Sequence, residues 1–120
     1  MRLRDLYWLA GLWEGEGCFG SHKIKHCRSP RLRAALKMTD EDVIRKAAEL
    51  LRCKVYGPRV WPSAPNNKPQ WWIRLDNNEA AALMMTLYAL LGVRRQAKIQ
   101  ELLKIWRSIP RSGGRRGKVV

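Results

Sequence analysis

The stretch that most constrains this 120-residue chain is Leu9-Ala10-Gly11-Leu12-Trp13-Glu14-Gly15-Glu16-Gly17. Asp5 can cap a helix that begins just after it, because a short carboxylate accepts from the orphan backbone N–H groups of a first turn. Leu6, Leu9 and Trp13 then fall at helical spacing. Gly11 and Gly15 share a face that carries no side chains, and a glycine costs a helix interior about 1 kcal/mol against alanine. Two in one turn indicate a very close neighbour, and the first candidate is a second helix of the same kind. The helix ends in acid. Glu14 and Glu16 point roughly 200° apart on a helix, so they form no dyad within one chain. A symmetry-related partner helix would bring an equivalent acid to the same place. Two carboxylates side by side make a metal site rather than a stable unoccupied pair. The plainer alternative is a small-residue core helix with solvated acids at its end.

The charge balance narrows the partners. There are 24 basic and 10 acidic residues, a net charge of +14. A small domain this basic binds a polyanion, with nucleic acid the leading candidate. A membrane surface fits less well, because the charge is spread over several segments rather than along one amphipathic helix. No apolar run approaches the roughly 18 residues needed to span a bilayer, and the start shows no signal-peptide cleavage pattern. The length predicts one domain. Cys18, Cys27 and Cys53 are odd in number and form no CxxC, which fits reduced thiols in a cytoplasmic or organellar compartment. Structural zinc on Cys18, His22, His26 and Cys27 is an alternative, but strand alternation puts Cys27 on the opposite face from the other three.

Cys18 to Cys27 reads as a strand, with Phe19, Ser21, Lys23 and Lys25 on one face and Gly20, His22, Ile24 and His26 on the other; the pattern leaves open which face is buried. Arg28-Ser29-Pro30 is a turn. In the next strand Leu32, Ala34, Leu36 and Met38 alternate with Arg31, Arg33, Ala35 and Lys37, giving one apolar and one basic face. A helix follows, with Thr39 as cap and acids in its first turn; Val43, Ile44, Ala47, Ala48, Leu50 and Leu51 form its apolar stripe. Lys54 to Trp61 is a third strand, which Gly57 and Pro58 bend or bulge. A polar, proline-rich hairpin loop leads to a fourth, Lys68 to Asp76, with Trp71, Ile73 and Leu75 inward and Gln70, Trp72 and Arg74 outward. A third helix begins at Asn77, presents Ala82, Leu83, Leu87, Leu90 and Leu91, and stops at Gly92 as a left-handed cap. A fourth spans Arg94 to Ser108, with Ile99, Leu102, Leu103 and Trp106 apolar. The domain is expected to end near residue 110, followed by a basic flexible tail over 111–120.

Leu9 to Gly17 resembles the LAGLIDADG motif of homing endonucleases, with Trp13 for the isoleucine, Glu14 and Glu16 for the aspartates and Gly15 for the second alanine. The predicted order, αββαββα plus a C-terminal helix, also resembles that domain. The resemblance implies an α+β fold with a four-stranded antiparallel DNA-binding sheet and helices on one face. A single motif implies a homodimer packed through Leu9, Ala10, Gly11, Trp13, Glu14 and Gly15. It implies that Glu16 and the carbonyl of Gly15 bind Mg²⁺, with Mn²⁺ able to substitute, and needs no small-molecule cofactor. Asp40 matches a polar position near the metal-bound water, though a helix cap explains it equally well. The family's lysine after the third helix falls on Val93 here; Arg94, Arg95 or Lys98 can substitute, and Arg94 is the choice.

The function expected is a metal-dependent, sequence-specific double-strand break at a long, near-palindromic site, in an intron-type context. Outward residues expected to meet double-stranded DNA are His22, Lys23, Lys25, Arg31, Arg33, Lys37, Arg59, Trp61, Trp72 and Arg74. The alternatives are a non-cleaving regulator or RNA-splicing maturase on the same scaffold, and, more distantly, a basic RNA-binding protein with neither metal nor dimer.

Overall fold

The computed structural model describes residues 1–23, 30–60 and 68–108. The chain runs α1 (Leu3–Glu16), β1 (Gly17–Lys23), β2 (Pro30–Met38), α2 (Glu41–Leu51), β3 (Tyr56–Arg59), β4 (Gln70–Asp76), α3 (Asn77–Leu87), a short 3₁₀ turn (Tyr88–Leu90) and α4 (Val93–Arg107). The strands form one antiparallel sheet in the order β1-β2-β4-β3. This is the α+β, αββαββα architecture with an added C-terminal helix.

Alternation decides what the sheet faces. Leu32, Ala34 and Leu36 of β2, and Ile73 and Leu75 of β4, are buried. On β1 it is Phe19 that is buried, paired with Ala34, so Cys18, Gly20 and His22 point outward. The question left open in the sequence is settled by this pairing. The helices supply the other side of the core: Leu9, Ala10 and Trp13 from α1, Ile44, Ala47 and Ala48 from α2, Ala80, Ala81, Leu83, Met84 and Leu87 from α3, and Ile99, Leu102 and Leu103 from α4.

Several local expectations change. Helix α1 begins at Leu3 with Arg2 before it, so Asp5 sits in the first turn rather than at the cap; there its charge still suits the helix dipole. The position before α2 is Asp40, not Thr39, and its side chain makes no capping bond. Ala82 is exposed, and Ala80, Ala81 and Met84 take the inward positions of α3. Residues 80, 83, 84 and 87 follow the helical period along one face, which leaves Ala82 off it, and Leu90 is exposed in the 3₁₀ turn. Gly92 is extended, with φ −73° and ψ 168°, and opens α4 rather than closing α3 with a left-handed cap; the 3₁₀ turn performs that closure. Strand β3 is short, and its register with β4 shifts between Tyr56 and Arg59. Gly57 causes the shift: at φ +105° a Cβ would stand 2.6 Å from the Gln70 carbonyl oxygen, a position only glycine tolerates.

Candidate functional site

Two features of the chain carry chemistry, and they adjoin. The first is the C-terminal end of α1. The last carbonyls of any helix lack intrahelical partners, and here Arg95 of α4 takes up that role. Its Nη1 donates to the Gly17 carbonyl at 2.7 Å and its Nη2 to the Glu14 carbonyl at 3.2 Å. The Glu14 side chain answers in the other direction: its Oε1 accepts from the Gly92 N–H at 2.7 Å, placing a carboxylate at the positive end of α4. Glu14 Oε2 lies 3.9 Å from Arg95 Nε, a Coulombic contact rather than a hydrogen bond. The two helix ends are thus clamped together.

Glu16 sits between the two clamped carbonyls. Its carboxylate is exposed and has no hydrogen-bond or ion-pair partner among the described residues. Gly17, the next residue, lies flat against the buried Trp13 indole. The larger ring at position 13 fits only because position 17 has no side chain. Asp40 follows the end of β2; since Gly17 pairs with Leu36, it belongs to the same end of the sheet as Glu16. Arg94 and Lys98 line an open cleft of about 580 Å³ with Gly17, Cys18, Phe19 and Arg95. Arg94 therefore lines the cleft beside the motif end, while Arg95 is the cation bonded to it.

A carboxylate and a backbone carbonyl are hard oxygen ligands of the kind Mg²⁺ takes. Among the described residues no three His, Cys, Asp or Glu side chains gather to hold a metal. Glu16 and the Gly15 carbonyl fit Mg²⁺ only as part of a shared set, completed by other oxygen donors.

Residues expected at a dimer surface divide. Leu9, Ala10 and Trp13 are at most 3% exposed; they face the domain's own core, and no second copy can reach their side chains. Helix α1 needs an inward apolar face to close its own domain, and this face supplies it. Glu14 is committed to α4. Gly11 and Gly15 are exposed, and a Cβ at either would meet nothing within 4 Å. They share the open face of α1 with Tyr7, which is 54% exposed.

The second feature is the outward face of the sheet. Across β1, β2 and β4 the outward residues His22, Arg31, Arg33, Lys37, Trp72 and Arg74 lie side by side, through the pairs His22↔Arg31, Lys37↔Trp72 and Ala35↔Arg74. Arg59 pairs with Gln70 at the far edge. Tyr56 stacks on Trp72 at 5.8 Å between ring centroids, and the Arg74 guanidinium lies 4.7 Å over the Tyr56 ring. Asp76 is the acid of this face, bonded to Arg33 at 2.9 Å. Lys25 and Trp61 lie outside the described residues, as do Cys27 and His26 of the zinc alternative, the proline-rich loop and the basic tail; Lys23 is described only as the last residue of β1. The sequence pattern gives no sign of Tyr56 or Asp76 as partners, and it offers Arg95 only as a substitute for the family's lysine, not as the clamp on the end of α1. Arg33 and Asp76 are 43 residues apart in sequence, so only the strand register brings them together.

No protein-family model and no curated protein matches the chain. Solved structures do. A LAGLIDADG meganuclease, I-CpaMI, bound to uncleaved DNA superposes with a TM-score of 0.64 at 13% identity, over 85% of this chain and 37% of its own. I-CeuI, a group I intron-encoded homing endonuclease complexed with DNA, gives 0.58 at 15% identity, over 89% and 57%. An archaeal intron-encoded homing endonuclease complexed with DNA gives 0.57 at 14% identity, over 77% and 60%. The chain has the LAGLIDADG homing-endonuclease fold. It spans between about a third and three-fifths of the length of these neighbours. The stretch Leu9–Gly17 forms the C-terminal part of α1 and the first residue of β1, and the fold places Glu16 at the helix end. No described helix is long and apolar enough to cross a membrane.

Proposed function

We propose that this LAGLIDADG chain is a sequence-specific DNA endonuclease of the homing type, acting as a homodimer with Mg²⁺, for which Mn²⁺ substitutes. The observation that carries the reading is Glu16: an exposed carboxylate without a partner, held between two clamped carbonyls, next to a sheet face rich in arginine and lysine. Exposed acid beside phosphate is unfavourable unless a cation is shared, so a protein that only binds DNA has no use for it there.

In this reading the outward face of the sheet enters the major groove of one half-site, where arginine and lysine meet phosphates and base edges. The open α1 face, with Gly11 and Gly15, packs against its symmetry mate, and the twofold axis demands a near-palindromic target. Glu16 and the Gly15 carbonyl of each copy would hold the metal. When bound, Mg²⁺ supplies an activated water and offsets charge on the leaving oxygen in phosphodiester hydrolysis. The chain's own part is to hold Glu16 in place through Arg95 and Glu14, and to offset phosphate charge through Arg94 and Lys98. Asp40 stands at the same sheet end to orient water. A non-cleaving binder is the second reading. It is favoured by glutamate at both acid positions, Glu14 and Glu16, and by Val93 at the place of the family's lysine.

The test is cleavage of a randomised duplex library with Mg²⁺ by the parent and by Glu16→Gln. The parent should make a staggered cut at a near-palindromic site, and the variant should bind that site without cutting. A parent that selects a site but leaves it intact in both Mg²⁺ and Mn²⁺ is a binder.

A further inference from the structure

Asp76 is the last residue of β4 and precedes α3, a position where aspartate ordinarily caps the helix by accepting from its first-turn N–H groups. It makes no such bond. Its Oδ1 instead accepts from Arg33 Nε at 2.9 Å across the β2–β4 ladder, and its Oδ2 lies 3.9 Å from Arg74 Nε. Arg74 is further restrained over Tyr56. One carboxylate thus addresses two arginines, each through Nε. An arginine held by Nε keeps its two terminal nitrogens available together. Two parallel terminal N–H donors are what guanine N7 and O6 accept in the major groove. A side chain already restrained also loses less freedom when it binds.

We propose that Asp76 is a positioning residue that sets specificity: it orients Arg33, and more loosely Arg74, so that each reads a guanine. The inference rests on the DNA-binding reading of the sheet. An acid in this place opposes phosphate binding in general, so its cost to affinity and its gain in discrimination separate on substitution.

The experiment is selection of bound sites from a randomised duplex library without divalent metal, using the full chain as parent, Asp76→Asn, Arg33→Ala and Arg33→Lys. The parent should select guanine at two positions of each half-site. Arg33→Ala should abolish the preference at one of them, and Arg33→Lys, which lacks the fork, should lose most of it. Asp76→Asn should lower discrimination at the same position by roughly tenfold, a fraction of what a full bidentate pair contributes, while binding random DNA at least as tightly as the parent. Unchanged base preferences in Asp76→Asn overturn the inference, as does an equal fall in affinity on every sequence. If Asp76→Asn does not fold by its circular dichroism melt, the two Arg33 variants decide: a guanine preference that survives both refutes the assignment. A parent that selects a site with no Arg33-dependent guanine sinks the inference alone. A parent with no preference for any duplex sinks the DNA-binding reading as well.

Discussion

Gly17→Ala is the substitution with the most definite consequence. A Cβ at Gly17 would stand 2.2 Å from Trp13 Cδ1, 2.4 Å from Cγ and 2.7 Å from Nε1. Trp13 is fully buried, and its ring stacks on Phe19 with centroids 6.3 Å apart, so the indole cannot swing aside without displacing the core. Gly17 itself has φ −82° and ψ 172°, extended backbone that alanine adopts freely, so the whole cost is steric. Overpacking a filled core costs about 1–3 kcal/mol, and an overlap of more than an ångström with a rigid ring belongs near the top of that range. With an unfolding entropy of about 2.1 cal/mol/K per residue, a 120-residue chain loses about 4 °C of Tm per kcal/mol. Gly17→Ala should therefore melt about 8–12 °C below the parent. Gly11→Ala is the matched control. Its Cβ meets nothing within 4 Å, so helix propensity alone acts, a gain of about 1 kcal/mol. The assay is thermal melting at low concentration, with sedimentation equilibrium at high concentration. Gly11→Ala should raise Tm by about 4 °C and weaken self-association, because the same methyl stands on the face offered to the symmetry mate. A Gly17→Ala melt within 2 °C of the parent, about the scatter of a neutral surface change, would falsify the steric argument. Unchanged self-association in Gly11→Ala would remove this face from the interface.

Two further outcomes follow from the clamp and the thiols. Arg95→Ala removes two charge-assisted hydrogen bonds from the end of α1, and should lower stability by about 2–3 kcal/mol; Arg95→Lys should recover only part of it, lacking the fork that spans both carbonyls. Urea midpoints at unchanged slope are the readout, and a loss fully restored by lysine would show that charge alone mattered. Burial, and secondarily the negative charge of Glu79, push the Cys53 thiol above the ordinary thiol range, whereas Cys18 is exposed. In a Cys27→Ser background, a thiol reagent at pH 8 should modify Cys18 quickly and Cys53 slowly. Because the folded thiol titrates higher than the unfolded one, the unfolded chain ionises first. The contribution of Cys53 to stability is complete below the unfolded thiol's pKa and is lost as pH rises through the folded one. The parent should therefore lose more stability than Cys53→Ala between pH 8 and pH 10; equal losses would contradict it.

What was legible in the sequence was whatever repeats with a local period. The alternation Arg31-Leu32-Arg33-Ala34 states by itself that β2 has one apolar and one basic face, because successive residues of a strand point oppositely. The stripe of α2 and the break at Gly57-Pro58 were legible for similar reasons, and so was the acid-ended motif helix with Glu16 at its end. Which face of β1 is buried was not, since Phe19, Ser21 and Lys23 offer no clear contrast; pairing Phe19 with Ala34 decided it. The sides of α1 were confused for a different reason. Leu9, Ala10 and Trp13 carry the apolar pattern that either a core or a dimer surface requires, and only the sheet beneath them shows that the core takes them. Glu14 on Gly92, Arg95 on Gly17 and Arg33 on Asp76 join residues 43 to 78 positions apart. Such contacts leave no periodic trace, because a hydrogen bond depends on where two backbones cross in space. The sequence by itself therefore determined the elements, most of their faces and the acid at the motif's end, and the tertiary structure alone decided that Arg95 and Glu14 clamp the helix end that carries this acid and that Asp76 lies against Arg33, because both depend on where distant backbones cross.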